Sequence, residues 1–189
     1  ESAVLNLPAL KIQYKDFALW QRKYLAGELL ESQLHFWKTK LSGFETLNLI
    51  TDKPRPKEID YRGGHVLFEV DEVTSNALRF LAKELNLSLY SVLLAGYYLM
   101  ISCYSNQDDI VIGTPVANRH YAEIENVIGF FVNTLALRVK IDGKELVREY
   151  LERIGRETKE AQLYQDLPFE KLIDELDLEK DTSRHPIFQ

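Results

Sequence analysis

The sequence predicts an α/β fold in which a mixed sheet packs against helices. Strand-like and helix-like segments alternate along the 189 residues, and no internal repeat or low-complexity tract interrupts them. Two segments, at 109–119 and at about 130–141, have the apolar character of strands buried in a core. The chain is long enough to build one substantial core.

The first fifty residues predict helix. Apolar residues recur at helical spacing from 13 to 41 in two separate stripes, and Gly27 lies between the stripes. A left-handed glycine at that position would end the first helix, so we expect two helices or one bent helix. The following stretch, 51–64, carries two prolines and a glycine pair, which predicts an extended connector.

A strand and two helices are expected next. HVLFEV at 65–70 would place Val66, Phe68 and Val70 on one face, which predicts a strand. Asp71 or Thr74 would cap the following helix, and Ser88 would cap the next one. No charge occurs between Glu84 and Asp108, but polar residues break the apolar run, so we expect a buried core helix and not a membrane span.

The last third predicts two strands and two helices. The strand at 109–119 starts with a β-branched run and ends or meets a sheet edge at Pro115. Gly143 interrupts the strand at 130–141, and Pro168 fits the first turn of a final helix. Between them, helical spacing is given by Leu146, Tyr150, Ile154 and Ala161.

Composition excludes several classes of function. The net charge is −6, the pI is near 5.3 and no basic run exceeds a pair, so we expect neither a nucleic-acid partner nor an anionic membrane surface. The single Cys103 gives no disulfide framework, and no signal segment is seen, which together predict a cytoplasmic protein. No His or Cys pair has the spacing of metal ligands, so no metal site is expected.

Asn133 stands out within the strand at 130–141. Side chains alternate between the two faces of a strand, which places Asn133 on the core face between Phe131 and Leu135, with Arg138 on the opposite face. A buried carboxamide costs about 1–3 kcal/mol unless its hydrogen bonds are made. Asn133 therefore serves either a structural network or a ligand.

Four sequence blocks stand out in order along the chain: YKDFALWQ at 14–21, GFFVNTLALR at 129–138, YQDLPFEKL at 164–172 and DTSRHPIFQ at 181–189. Together they resemble the condensation domains of non-ribosomal peptide synthetases. The resemblance implies a chloramphenicol-acetyltransferase-like lobe. It also implies amide-bond formation between carrier-bound thioesters, with peptidyl carrier proteins and an adjacent adenylation domain as partners. No cofactor would bind directly, because the 4′-phosphopantetheine belongs to the carriers.

The resemblance also implies roles for particular residues. The substrate tunnel would be approached by Gly129, Asn133, Thr134, Thr114 and Arg119. For Arg119 a helix cap or a surface salt bridge is the alternative. Residues where the two lobes join, or with structural roles, would be Tyr14, Asp16, Phe17, Trp20, Gln165, Asp166, Pro168 and Arg184. An amphipathic helix face with a capping Asp16 explains the first four of these equally well. The family has His where this chain has Tyr164, so a packing role is expected there.

One motif of the family is absent. The family's catalytic HHxxxDG does not occur, and His35, His65, His120 and His185 are scattered along the chain. We therefore expect an internal piece of a condensation domain, inactive alone, with inter-lobe helices at 1–50, a connector at 51–64 and most of the C-terminal lobe at 65–189. The alternatives are an epimerisation or heterocyclisation relative, and a non-catalytic module that docks carrier proteins.

Overall fold

The computed structural model describes residues 9–59, 62–176, 178 and 183–188. Within them the chain forms six α-helices and two β-strands. In chain order these are α1 Tyr14–Tyr24, α2 Gly27–Leu41, α3 Glu72–Glu84, α4 Leu89–Ser105, β1 Asp109–Val116, β2 Asn133–Lys140, α5 Val147–Leu163 and α6 Phe169–Leu176. A short 3-10 helix, Ala122–Ile124, lies between the strands.

The two N-terminal helices separate where the sequence predicts. Helix α1 ends at its C-cap Leu25, and Gly27 begins α2 with a φ of +56°, a conformation that favours glycine. The predicted caps of the next two helices are also present. Asp71 accepts a hydrogen bond from the amide of Thr74 at 2.9 Å, and Ser88 accepts one from Ser91 at 3.0 Å.

The sheet of the described residues contains two antiparallel strands. β1 pairs with β2 from Asp109 opposite Lys140 to Val116 opposite Asn133. The helices α4 and α5 pack on each other, and both contact this sheet. The mixed orientation predicted for the sheet would need a parallel neighbour, which the described strands do not include.

The prediction of a strand at 65–70 is wrong for this structure. The segment has no regular structure, and Val66 and Phe68 are 89% and 83% exposed. Alternation of side chains suits a strand, but a strand also needs a hydrogen-bonded neighbour. Here β1 and β2 pair with each other, and neither pairs with 65–70.

The predicted core helix α4 is buried on one face only. Val92, Ala95 and Tyr98 lie in the main core, whereas Leu93, Tyr97 and Met100 are exposed. No single helix of the described ranges is long and apolar enough to cross a membrane, although α3 and α4, bent by 110°, pass that test as a pair.

Two separate apolar clusters stabilise the fold. The main core lies between the sheet and α2, α4, α5 and α6, and its fully buried side chains include Trp37, Tyr98 and Ile110. The smaller cluster lies under the segment between the strands and consists of Phe17, Ile124, Val127 and Phe131. The division into inter-lobe helices, connector and lobe remains a prediction.

Candidate functional site

The described residues of the four sequence blocks meet in a continuous chain of contacts, which we call the motif cluster. Its members are Tyr14, Gly129, Asn133, Phe169 and Phe188. They come from widely separated positions along the sequence, yet each contacts another member or a residue next to one. The blocks therefore form one structural unit.

Tyr14 joins the first block to the second. Its ring lies so close to Gly129 that a Cβ added there would overlap the ring, and its hydroxyl donates to the carbonyl of Phe130 at 2.9 Å. The same ring meets Phe131 edge-on, with 5.2 Å between centroids. Gly129 is required for this close approach, which is a structural reason for glycine in the block.

Asn133 joins the second block to the third. Its Nδ2 donates to the carbonyls of Gln165 and Leu167, both at 2.8 Å, and its Oδ1 accepts from the amide of Phe169 at 3.0 Å. The side chain thus holds the turn before α6 and one of that helix's first free amides. The structural network is therefore present. A role in a substrate tunnel stays a prediction.

The last block packs against the third block and β1. The ring of Phe188 lies 5.2 Å from Phe169 and stacks on His185 at 4.7 Å. It also fills the space beside Gly113, where an added Cβ would overlap the ring. Arg184, in the same segment, is partly buried.

The turn at 164–168 has further attachments. Tyr164 stacks on Phe36 with 3.9 Å between ring centroids, and its carbonyl accepts from Trp37 Nε1 at 2.9 Å. Tyr164 therefore packs against an aromatic ring, as expected. Asp166 lies 3.2 Å from His120 Nε2, and Pro168 directly precedes α6.

The first block also uses its polar side chain locally. Asp16 accepts from the amide of Gln13 at 2.8 Å in a capping box, as the structural alternative proposed. Phe17 is buried in the smaller cluster, and Trp20 stacks on Tyr24 at 4.6 Å. Together with Tyr14, these residues of α1 therefore all make contacts that stabilise the fold.

The two threonines lie apart from the motif cluster's contacts. Thr114, on β1, shares a hydrogen bond of 2.6 Å with the hydroxyl of Tyr90 on α4. Thr134 pairs with Pro115 in the ladder and is half-buried. Neither threonine lines the cleft described below.

Arg119 binds the carbonyls at the C-terminal end of the 3-10 helix, as the helix-cap alternative proposed, and among the described residues it makes no salt bridge. Its guanidinium donates to backbone carbonyls of the segment between the strands and lies 4.0 Å from the ring centroid of Phe131. The acceptors are the carbonyls of Ile124, Glu125, Val127 and Gly129.

An open cleft of about 150 Å³ lies between α1 and the turn at 164–168, and we call it the motif cleft. Of the predicted tunnel residues, only Asn133 lines it. Its apolar walls are Tyr14, Phe17, Phe130, Phe131, Val132 and Pro168, and its polar residues are Gln21, Asn118, Asn133, Asp166 and Glu170. Asn118 is 8% exposed, and its buried Oδ1 has no hydrogen-bond partner.

The motif cleft offers aromatic walls and hydrogen-bonding side chains. The four histidines lie on separate parts of the chain, and in the described ranges no three His, Cys, Asp or Glu side chains are placed to hold a metal. Burial, with a hydrogen bond to Tyr24, raises the pKa of Tyr121 to about 12.

The sequence interpretation missed one buried ion pair. Arg138, which the sequence places on the strand face opposite Asn133, is 8% exposed and binds the carboxylate of Asp109 through Nε at 2.7 Å and through Nη2. It also donates to carbonyls at the end of α2, those of Lys40, Ser42 and Gly43. This pairing raises the pKa of Arg138. The only available signal was a charge inside an apolar strand.

Comparison with known proteins gives consistent results. The profile of the family described as "Condensation domain" matches residues 5–189. The N-(5-amino-5-carboxypentanoyl)-L-cysteinyl-D-valine synthase of Amycolatopsis lactamdurans is 48% identical over 97% of this chain and 5% of its own length. Malpinin synthetase of Mortierella alpina is 44% identical over 97% of this chain and 2% of its own length.

Solved structures give the same result. A four-domain nonribosomal peptide synthetase, crystallised in its holo form with AMP and glycine, matches with a TM-score of 0.86 and 27% identity, over 98% of this chain and 14% of that one. The X-domain from teicoplanin biosynthesis matches with a TM-score of 0.89 and 26% identity, over 97% and 42% of the two chains. This chain thus spans only 2% to 5% of these two curated relatives and less than half of these structures.

The resemblance found in the four blocks is confirmed by the family profile, and the α/β fold class by the shared architecture. With that match over nearly its whole length, the chain belongs to the condensation-domain family.

Proposed function

We propose that this chain is part of a condensation domain that joins carrier-bound acyl and aminoacyl groups. In this reaction the amine nitrogen of one thioester attacks the carbonyl carbon of the other. The C–N bond forms, the C–S bond breaks, and the departing thiol takes up the proton that the amine loses. The chain supplies one wall of the site, and the catalytic histidines belong to a region that its sequence does not contain.

One observation carries this proposal. The four blocks that resemble the family assemble into the motif cluster, with Asn133 at the junction of the second and third blocks. Preorganised surroundings contribute to catalysis by holding reactants in position. A lobe that has this cluster and lacks HHxxxDG would position the substrates. Proton transfer would then be carried out by the part of the domain that contains the histidine motif. We accordingly expect no condensation by the chain alone.

In this proposal the motif cleft would receive the arm of the partner carriers. A 4′-phosphopantetheine arm carries amide groups on an apolar backbone, and it supplies the thiol that forms the thioester. The cleft offers aromatic walls, and the unpaired Oδ1 of Asn118 is an acceptor for an amide N–H. Residues that would hold the arm are Asn118, Asn133 and Phe130. The partners would be carrier proteins in the cytoplasm, with an adenylation domain in the same polypeptide.

The proposal is tested with the complete domain of the parent polypeptide. A donor carrier bearing an acyl thioester and an acceptor carrier bearing an aminoacyl thioester are mixed with it, and intact-protein mass spectrometry follows the acyl group. Transfer to the acceptor in the complete domain, but not with the present chain, is the expected result. Absence of transfer in the complete domain would reject the proposal. An unchanged mass with an inverted α-carbon would instead indicate epimerisation, and loss of a further water would indicate heterocyclisation.

A second candidate is a non-catalytic docking module. A solved structure of the X-domain from teicoplanin biosynthesis in a complex with OxyB also matches this chain, so a protein of this fold can bind a protein partner. A complete domain that binds carriers and transfers nothing would support this candidate. Carrier binding measured by calorimetry, in parallel with the transfer assay, separates the two functions.

A further inference from the structure

We propose that Arg119 is a positioning residue, which fixes the segment 120–132 around its guanidinium and thereby sets the wall of the motif cleft. The inference rests on the proposed function for its catalytic consequence. The structural part stands on the contacts of Arg119 alone.

The segment between the strands has few hydrogen bonds of its own. Backbone bonds support it up to Val127, whose amide donates to the carbonyl of Ile124 at 3.2 Å. From 128 to 132, no backbone-to-backbone hydrogen bond reaches another described residue. A segment of this kind has many accessible conformations unless side chains hold it.

Side-chain donors provide that support. Arg119 Nη1 binds the carbonyls of Ile124 and Glu125 and that of Val127, the last at 2.8 Å, and Nη2 reaches the carbonyl of Gly129 at 3.5 Å. The carbonyl of Phe130, next along the chain, is held by Tyr14. The guanidinium plane also covers Phe131, which anchors the segment in the smaller apolar cluster.

Only arginine suits this arrangement. Its planar group presents several N–H donors in a fixed geometry and stacks on an aromatic ring, whereas a lysine ammonium is a compact point charge with three donors. Glutamine offers a single NH₂ group. Neither residue can satisfy carbonyls at 124, 125, 127 and 129 while covering the ring of Phe131.

The segment that Arg119 holds forms part of the wall of the motif cleft. Phe130, Phe131 and Val132 line the motif cleft, and the chain then enters β2 at Asn133. Loss of the guanidinium should therefore loosen one wall of the cleft. The main core should persist, because its buried side chains lie outside this segment.

The structural part is tested on this chain by ¹⁵N relaxation. In the unmodified chain, order parameters at 126–132 should be near those of rigid backbone, about 0.85, and Arg119→Ala should lower them below about 0.6. Added methylguanidinium, which can occupy the emptied site, should restore them, whereas urea at the same concentration should not. Arg148→Ala, at an exposed arginine of α5, is the matched control and should change nothing. Unchanged order in Arg119→Ala would overturn the proposal.

The functional part is tested in the complete domain. Arg119→Ala should reduce kcat about 10- to 100-fold with little change in KM, since a misplaced wall affects positioning more than carrier docking. Methylguanidinium should restore kcat with saturation. If Arg119→Ala does not fold, Arg119→Gln is used in the same two assays, with the same expected direction. Full activity of either variant would overturn the positioning role, whereas an inactive unmodified domain would reject only the proposed function.

Discussion

Replacing Asn133 with alanine should destabilise this chain far more than replacing an exposed asparagine. The substitution leaves the carbonyls of Gln165 and Leu167 and the amide of Phe169 without their partner. The last two groups belong to buried residues, whereas Gln165 is half-buried and can reach water. At about 1–3 kcal/mol for each of these two buried unsatisfied groups, the expected loss is about 2–6 kcal/mol. That is a large share of the roughly 5–15 kcal/mol typical of a folded domain.

Equilibrium unfolding in urea measures this loss. Asn133→Ala should lower the midpoint without changing the slope, and Asn48→Ala, at an exposed position, should stay within about 0.5 kcal/mol of the unmodified chain. Equal stability of the two variants would refute the network argument. It would then favour the other interpretation, in which the carboxamide is kept for a ligand.

Asn133→Asp adds a dependence on pH. A carboxylate there would face two carbonyl oxygens in a buried site, so its pKa in the folded state should rise above the unfolded value of about 3.9. The variant should be least destabilised below that value, because the acid form can still donate. Its stability should fall as pH rises through the folded pKa. A penalty independent of pH would contradict this geometry.

Three further outcomes are expected in the same unfolding assay. Gly129→Ala should lower the free energy of unfolding by about 1–3 kcal/mol, because the added Cβ overlaps the ring of Tyr14. Gly143→Ala, in open space, should lower it by less than about 0.5 kcal/mol, and equal losses would contradict the overlap. Asp109→Ala should cost about 3–5 kcal/mol by leaving Arg138 buried without its carboxylate, and a cost below about 1 kcal/mol would show that the pair is not needed. Burial raises the pKa of Tyr150 to about 12, so stability should be lost as pH rises from about 10 through 12, and Tyr150→Phe should reduce that slope; an unchanged slope would assign the alkaline loss to other groups.

Local features of the fold could be predicted from the sequence. The caps at Asp71 and Ser88 and the break at Gly27 depend on residues a few positions apart, and all three are present. The prediction of a strand at 65–70 was wrong because a strand needs a second segment to pair with. The sequence of one segment does not show whether such a partner exists. Without a partner strand its apolar side chains stay exposed, Val66 and Phe68 among them.

The sequence predicted which residues belong to the candidate site, but it did not predict the contacts that these residues make. Period-two alternation correctly placed Asn133 inside, but its partners lie more than thirty residues away along the chain. The same rule placed Arg138 on the opposite face of the strand, but it could not show that this face is also covered. That face is covered by the end of α2, whose carbonyls Arg138 binds. Only the tertiary arrangement brings those carbonyls to the strand.

The polar side chains of this site are directed mainly at backbone atoms. Tyr14, Arg119 and Asn133 each donate to carbonyls of segments that lack regular structure, and Trp37 does the same at Tyr164. Donors used in this way fix loops without the constraint of a continuous sheet or helix. Asn118 differs from them, because its buried acceptor has no partner although it lies at the motif cleft. Walls held in this way around one unsatisfied acceptor suit the binding and orientation of a ligand.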